Sequence, residues 1–244
     1  HTIKGLTVTT NDQFVGLFGY LNRAGTVKNV VMEGIQITSN HMFGCTGGVV
    51  GYSWGTIENC SVSGSVSGTV YVGGVVGVQI GGSITGCSSS ATVKGMVDVG
   101  GVAGQTNSSA TLTACYATGN VTLEIAPKKN IAGGGLVGMN AGSRGLLACY
   151  ATGNVTSTGS STGYMHIGGF LGNNYTTVTA CYWKNNHEQG IGYNKENIVP
   201  EATKVDGTGV TWKNAVDAMN TALQNAGSKW RYELNGTLPT LRKQ

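Results

Sequence analysis

The octapeptide "CYATGNVT" occurs twice in this chain, at residues 115–122 and again at residues 149–156. Each copy follows a Gly-Gly pair by a short interval. Partial copies follow two other such pairs, as "CSVSGSVS" from Cys60 and "CSSSATVK" from Cys87. A motif that recurs at a similar separation indicates a repeat protein, in which each unit stacks on its neighbours. The octapeptide therefore predicts a stack of similar coils.

A second motif, Gly-x-x-Gly with another Gly usually before it, marks one point in every unit. Successive copies lie 26 to 34 residues apart, and they begin at Val15, Gly47, Gly73, Gly100, Gly134 and Gly168. An aliphatic residue follows each copy after a polar turn, and a cysteine stands three positions further on in every unit but the first. In that first unit, Val30 or Val31 could take the place of the cysteine.

Apolar and polar residues alternate from the cysteine onward, as in Cys115, Ala117 and Val121. Alternation with period two predicts a strand with one face buried. The preceding aliphatic residue lies an odd number of positions from the cysteine. Both side chains can point inward only if the backbone turns a corner between them, near Asn59 or Ala114. A third alternating run precedes each Gly-Gly pair, so we expect three short strands per coil.

These features predict an all-β fold, a parallel β-solenoid of about six coils over residues 1–199. Glycine accounts for 41 of the 244 residues. It suits corners that need positive φ and places where the backbone of one coil lies close to the next. Coils stacked about 4.8 Å apart would place like residues in columns.

Five cysteines, Cys60, Cys87, Cys115, Cys149 and Cys181, occupy one such column. Parallel side chains on adjacent strands suit disulfide geometry poorly, so a column of buried thiols is favoured over bridges. A zinc site needs a cluster of ligands, which an open row does not provide. We predict no metal and no cofactor. Cys45 lies in another column, with Tyr71, Asp98 and His166, that the alternation points outward.

The repeat stops near Pro200, and residues 200–244 are predicted to form a C-terminal cap. Residues 214–227 read as one amphipathic helix with Asn214 as N-cap, Val216, Met219 and Leu223 on its apolar face, and Gly227 beyond its end. We expect this segment to cover the open apolar end of the last coil.

Composition argues against several classes of function. Charged residues make up 11% of the chain and the net charge is +4, without the basic stripe that binds nucleic acid. No apolar run is long enough to insert in a membrane. We expect a monomer.

The units from Gly100 and Gly134, "GGVAGQTNSSATLTACYATGNVT" and "GGLVGMNAGSRGLLACYATGNVTSTG", resemble the GLUG motif. That motif occurs in surface-exposed and secreted bacterial proteins, including adhesins and the non-catalytic regions of some IgA-specific zinc peptidases. The resemblance covers roughly residues 3–184. It implies a β-helical architecture, an extracellular or cell-surface location, and no catalytic residues to transfer. In relatives a stretch like "HTIKGLTV" commonly follows Gly-Asn-Gly, which leaves open further coils before His1.

Some β-helices are polysaccharide-active enzymes, which need clustered carboxylates. Acidic residues inside these repeats lie in different columns or coils. Asp98 and His166 share a column but stand two coils apart, about 10 Å, which is too far for a hydrogen-bonded pair. A polysaccharide-active enzyme is therefore the least favoured interpretation.

A column of aromatic side chains favours binding instead. Tyr116, Tyr150 and Tyr182 follow the cysteine on three successive coils, with Asn120 and Asn154 beside them. Aromatic faces flanked by amides suit a sugar ring, although stacked tyrosines also simply stabilise neighbouring strands.

Two consecutive units are also longer than the others, at "LEIAPKKNIA" from Leu123 and "STGSSTGYMH" from Ser157. Equivalent insertions should stand together as one lobe, with Lys128, Lys129, Tyr164 and His166 as candidate binding residues. Two interpretations stay open beside the enzyme. One is a non-catalytic adhesion or glycan-binding module that contacts a host or microbial glycan or a surface protein. The other is a passive stalk.

Overall fold

The computed structural model describes residues 1–125, 127 and 129–244, and it forms a parallel β-solenoid. Four parallel sheets run along the stack. Each complete coil gives one strand to each of three sheets, and one long strand or two short strands to the fourth. The expected fold class is confirmed, but the expectation of three strands per coil is wrong. The polar turn after each Gly-x-x-Gly motif continues as a fourth strand, as at Val50–Ser53 and Val137–Asn140.

Sheet 1 follows the corner where the cysteines stand, and it is the widest of the four. Its twelve strands are Thr2–Lys4, Thr7–Thr10, Val31–Ser39, Ser61–Ser67, Ser88–Ser89, Thr92–Gly95, Tyr116–Ala117, Val121–Glu124, Tyr150–Ala151, Val155–Thr158, Cys181–Trp183 and Ala202–Lys204.

Sheets 2 and 3 lie before and after the glycine motif. The strands of sheet 2 are Phe14–Val15, Cys45–Gly47, Tyr71–Gly73, Asp98–Gly100, Ile131–Gly134 and Met165–Gly168. The strands of sheet 3 are Phe18–Leu21, Val50–Ser53, Val76–Gln79, Ala103–Thr106, Val137–Asn140, Leu171–Asn174 and Ile191–Asn194.

Sheet 4 lies just before the cysteine corner. Its strands are Thr26–Lys28, Thr56–Glu58, Ser83–Thr85, Thr111–Thr113, Leu146–Leu147 and Val178–Thr179. Sheets 2 and 4 have six strands each and sheet 3 has seven, which confirms about six coils.

Like positions of successive coils lie side by side, as the repeated octapeptide predicts. Tyr116 pairs with Tyr150, and Ala117 pairs with Ala151, in a parallel register without a shift. In the first unit Val31 pairs with Ser61 of the next unit, so Val30 takes the place of the cysteine. The column is therefore Val30 followed by the five cysteines.

The corner between sheets 4 and 1 is a column of residues in the left-handed region. The non-glycine members have φ of 58° at Asn29, 51° at Asn59, 52° at Ala114, 52° at Ala148 and 49° at Ala180. This conformation is unfavourable for residues other than glycine and asparagine. Backbone hydrogen bonds to the next coil hold it, since Ala114 N donates to Leu147 O at 3.0 Å. The corner allows Leu112 and Cys115 both to face the core.

The cysteine column is a ladder of buried, unbridged thiols, as expected. The backbone N–H of Cys115 donates to Sγ of Cys149 at 3.4 Å, and Cys149 repeats this contact with Cys181. Each thiol in turn donates to a carbonyl of its own coil, as Cys149 Sγ does to Leu147 O at 3.3 Å. Burial raises the pKa of the Cys87 and Cys149 thiols, which keeps them protonated and poorly reactive.

Parallel pairing continues past the expected boundary at residue 199. Ala202–Lys204 pairs with Cys181–Trp183 in sheet 1, so the solenoid extends to Lys204. The remaining residues form one helix, Trp212–Asn225, and an antiparallel hairpin of Trp230–Glu233 with Thr240–Lys243. We call residues 206–244 the C-terminal segment.

The helix begins three residues earlier than the sequence suggested, at Trp212. Thr211 is the N-cap. Asn214 is the third helical residue, and its side-chain oxygen accepts a hydrogen bond from Thr211 N at 3.1 Å. Because the side chains of Thr211 and Asn214 each bond the other's backbone N–H, the start is a capping box, and Asn214 is not the cap.

The C-terminal segment folds back along the side of the stack, so the expectation that it covers the last coil is corrected. Tyr232 Oη donates to Ala148 O at 2.9 Å, and Lys243 pairs with Glu58 several coils away from the end. The helix packs against Leu146–Leu147 and Cys181–Trp183. The corner residues Ala114 and Ala148 are small and fully buried beneath the segment, which lets it approach closely.

Candidate functional site

The tyrosine column points away from the solenoid core, as the alternation predicts, but most of it is not in solvent. Tyr150 is fully buried and Tyr182 is 9% exposed, both beneath the C-terminal segment. The edge of Trp212 meets the Tyr150 ring with the centroids 5.1 Å apart, and Tyr150 Oη donates to Pro239 O. Burial raises the pKa of both phenols. The prediction that Tyr150 and Tyr182 face a ligand is therefore corrected, because the segment already occupies their surface.

Tyr116 differs from the other two because the aromatic stack ends there. Its ring lies parallel to that of Tyr150, at 4.9 Å between centroids and 2° between planes. The coil before it carries Ser88 in the same position, and the coil before that carries Ser61. One face of the Tyr116 ring therefore stacks on Tyr150. The other face is directed toward the position of Ser88, where the column has no aromatic ring.

The missing ring leaves a slot on the outer face of sheet 1. Two adjoining cavities, of about 280 and 300 Å³, share Val31, Ser61, Ser88 and Tyr116 in their walls. Ser63, Ser90 and Thr118 add hydroxyl groups to the first cavity. We call this combined space the tyrosine slot.

The C-terminal segment supplies the opposite wall of the tyrosine slot. Trp230 and Leu241 line the second cavity, together with Asn29 and Asn59. Trp230 lies directly on the corner at Gly86, where a Cβ would fall 2.2 Å from its ring. The two asparagine amides bond each other, Asn59 Nδ2 to Asn29 Oδ1 at 2.7 Å. The slot thus has an aromatic ring face, a second aromatic wall and several hydroxyl and amide groups.

Asn120 and Asn154 do not line the slot. Both are exposed, and Asn120 Oδ1 accepts a hydrogen bond from Asn154 N at 3.0 Å. Thr122 and Thr156 make a similar contact across the same two coils, at 3.3 Å between their hydroxyl oxygens. These hydrogen bonds link two neighbouring coils beside the tyrosines that the C-terminal segment covers.

The two long loops of the fifth and sixth coils do lie together, as their equivalent positions predict. Ser161 Oγ donates to Lys129 O at 2.8 Å, and Tyr164 N donates to Asn130 Oδ1 at 3.1 Å. Tyr164 is 71% exposed. His166 stacks between Tyr164 and Tyr193, with centroid distances of 5.8 and 4.9 Å. Lys128 lies outside the described residues. This lobe lies between the strands of sheet 1 and those of sheet 2, and it is separate from the tyrosine slot.

The column of Cys45, Tyr71, Asp98 and His166 points outward, but the expectation that it is in solvent is wrong for two of its members. Cys45 is 3% exposed and Asp98 is 6% exposed. Side chains of sheets 2 and 3 meet on the outside, since the Phe14 and Tyr52 rings lie 5.0 Å apart. We call this line of contact the outer seam.

Glycines let the two sheets converge at the outer seam. A Cβ on Gly77 of sheet 3 would lie 2.6 Å from Thr46 N of sheet 2, so any side chain there would push the sheets apart. Burial raises the pKa of the Asp98 carboxyl to about 7, and that of the Cys45 thiol to about 12. The Asp98 carboxylate has no hydrogen bond or ion pair with any described residue, and Ala132 separates Asp98 from His166 in the register.

The described residues contain no group of three His, Cys, Asp or Glu side chains that could hold a metal ion. Their one helix is 14 residues long and is too short and polar to cross a bilayer.

The family model "The GLUG motif" matches residues 44–67 and 68–94, which are two successive units of the stack. Halomucin from Haloquadratum walsbyi is 41% identical to this chain over 78 residues, which is 32% of this chain and 1% of halomucin. The chain therefore spans only a small part of that curated relative.

The fold has a solved counterpart. A crystal structure of a "putative immunoglobulin A1 protease" from Bacteroides ovatus superposes with a TM-score of 0.60 and 18% identity, over 99% of this chain and 75% of that one. At that identity the likeness concerns the fold alone. Two successive units of this parallel β-solenoid, residues 44–67 and 68–94, therefore match the GLUG motif.

Proposed function

We propose that this chain is a non-catalytic glycan-binding module of a secreted or cell-surface protein, and that the tyrosine slot holds one sugar ring of its ligand. The observation that carries the proposal is the open face of Tyr116 at the end of the aromatic stack. The GLUG repeats and the similarity to a segment of halomucin support the location.

The geometry suits a pyranose ring better than a flat apolar ligand. A sugar has an apolar face that packs on an aromatic ring, and hydroxyl groups around its rim. Tyr116 offers the ring face, while Ser61, Ser63 and Ser88 offer hydroxyls within the same cavity. The position above Tyr116 lies one coil spacing away, which is the distance at which Tyr150 stacks on its other side.

The slot is poorly equipped for glycoside hydrolysis. Such enzymes use two carboxyl groups on either side of the scissile bond. Glu33 lines the first cavity, but its carboxylate pairs with Lys4 at 2.8 Å, and the described lining holds no second acid. The proposal therefore assigns binding to the slot and no bond cleavage.

Filling the slot tests the proposal directly. Ser88→Tyr places on this coil the side chain that the next three coils carry, and its ring should occupy the space above Tyr116. We expect binding on a glycan array to fall below detection, while the melting temperature stays the same or rises slightly, because a further stacked pair is added. Ser88→Thr keeps the hydroxyl and most of the space, and it should bind like the wild type.

Removing the ring gives an independent test. Tyr116→Ala should weaken binding by about tenfold, since a stacked aromatic contact contributes about 0.5–1.5 kcal/mol beyond its buried area. If the wild type binds no glycan on the array, or if Ser88→Tyr binds as well as Ser88→Thr, the tyrosine slot is not a binding site. The interpretation as a passive spacer would then replace this proposal.

A further inference from the structure

A second surface with binding features lies at the corner between sheets 3 and 4, near the first coil. The guanidinium carbon of Arg23 lies 4.5 Å from the centroid of the Trp54 ring. Arg23 belongs to the loop of residues 22–25, in which Gly25 N donates to Asn22 O at 3.0 Å. Trp54 belongs to the next coil and is held beside this loop by its backbone N–H, which donates to Leu21 O at 2.8 Å. The cation–π contact therefore joins two coils at a tight corner.

Arg23 differs from Arg231 and Arg242, whose guanidinium groups have hydrogen-bond or ion-pair partners, and it differs from Arg144 by its contact with an aromatic ring. Arg231 donates to the carbonyl oxygens of Ser228 and Trp230, and Arg242 pairs with Glu233 at 3.1 Å. Among the described residues, Arg23 has neither a carboxylate within ion-pair distance nor a hydrogen bond from its guanidinium. The guanidinium group contacts the Trp54 ring, and its N–H groups have no acceptor among the described residues.

The space around Arg23 is concave and includes another exposed ring. Cavities of about 390 and 260 Å³ share Arg23 and Trp54 in their linings. The first is completed by Tyr20 and Asn22, and the second by Ser109 and two glycines. Tyr20 is 54% exposed, and one of its faces lies on Tyr52 at 5.8 Å with 9° between the planes.

We propose that this corner binds an acidic saccharide, with a sugar carboxylate on the Arg23 guanidinium and a sugar ring on Tyr20. A guanidinium presents two parallel N–H groups that match the two oxygens of a carboxylate. The cation–π contact with Trp54 restricts the position of that guanidinium before a ligand arrives, which lowers the entropy cost of binding. Ligand and protein exchange no atoms or electrons at this site. The site lies apart from the tyrosine slot and does not depend on it.

The probe is tetragalacturonate, and its fully methyl-esterified form is the neutral control. Isothermal titration of the wild-type chain should show binding of the acid at low ionic strength, and binding of the ester weaker by at least about tenfold, because a hydrogen-bonded charge is lost. Ser88→Tyr should not change this binding, so a failure here is distinguishable from a failure of the tyrosine slot.

Arginine variants decide whether the corner is responsible. Arg23→Gln should weaken tetragalacturonate binding by at least about tenfold, and Arg23→Lys by several fold, since lysine keeps the charge but not the fork. Arg144→Gln removes the same charge at the corresponding corner of a later coil, where no aromatic contact of Arg144 is present among the described residues. It should stay within about twofold of the wild type.

Three outcomes would overturn the proposal. They are no binding of tetragalacturonate by the wild type, equal binding of acid and ester, and equal losses for Arg23→Gln and Arg144→Gln. Inorganic phosphate serves as a further probe. If phosphate displaces tetragalacturonate when the two are present at the same total concentration of negative charge, the site is a general anion site and the assignment to a saccharide fails.

Discussion

Met219→Asp is expected to release the C-terminal segment from the solenoid without unfolding the coils. Met219 is fully buried in the cluster of the segment, between Trp212, Leu223, Trp230 and Tyr232. Burying an unpaired carboxylate in this apolar cluster would cost several kcal/mol. Detachment avoids that cost, because the solenoid has its own core of valine, isoleucine, leucine and cysteine side chains.

Limited proteolysis measures the release. Trypsin should cleave within the segment, at Lys213 or Lys229, at least about a hundredfold faster than in the wild type, while the coils remain resistant. Gln224→Glu adds a negative charge on the exposed side of the same helix and should leave the cleavage rate nearly unchanged. Met219→Leu conserves volume and should cost under about 1.5 kcal/mol. A Met219→Asp protein that resists trypsin like the wild type would contradict the assigned burial.

The same variant links the segment to the tyrosine slot. Trp230 forms one wall of the slot, so a released segment removes that wall and opens the covered faces of Tyr150 and Tyr182. If glycan binding uses the slot as described, Met219→Asp should lose it together with Ser88→Tyr. Binding that increases on release would place the ligand on the whole tyrosine column, with the segment acting as a competitor.

The period of the chain and the alternation of its residues were enough to predict the coils, the cysteine ladder and the corner. These features depend on contacts between adjacent coils, so the residues of one repeat predict the structure of the next. The corner shows this most clearly. Only a left-handed residue between Leu112 and Cys115 lets both face the core, and Ala114 has φ of 52°. Even the valine that replaces a cysteine in the first unit was restricted to two positions, Val30 and Val31.

The sequence could not predict which parts of the chain pack over a side chain that points away from the solenoid core. Alternation gives a direction, and it was right for Tyr150, Cys45 and Asp98, yet all three are buried. Tyr150 is covered by residues about 80 to 90 positions away, such as Tyr232 and Pro239, in a segment without periodicity. In sheet 3 the alternation itself fails, since all four residues of Val76–Gln79 are buried. For that reason the fourth strand of each coil was not predicted.

Asp98→Asn is expected to stabilise the protein at pH 8 and to leave its stability unchanged near pH 4. Burial in the outer seam raises the pKa of Asp98 from 3.8 to about 7, so the folded chain keeps a proton that the unfolded chain releases. Between these two values stability therefore falls as the pH rises, and above pH 7 the full penalty remains. The neighbours Tyr71 and Cys45 do not offset it, because desolvation raises the pKa of both and neither supplies a positive charge.

The penalty that asparagine would remove is at most about 4 kcal/mol, since a tenfold change in the acidity of a group corresponds to about 1.4 kcal/mol. Urea unfolding followed by circular dichroism from pH 4 to pH 8 should show the wild type losing stability through this range while Asp98→Asn stays level. Asp217→Asn is the control, because Asp217 is exposed and its pair with Lys213 contributes little. A gap between Asp98→Asn and the wild type that is the same at pH 4 and pH 8 would mean that this carboxyl does not titrate between those values. The seam would then have to be open to water at Asp98, because a desolvated carboxyl without a partner cannot keep its ordinary pKa.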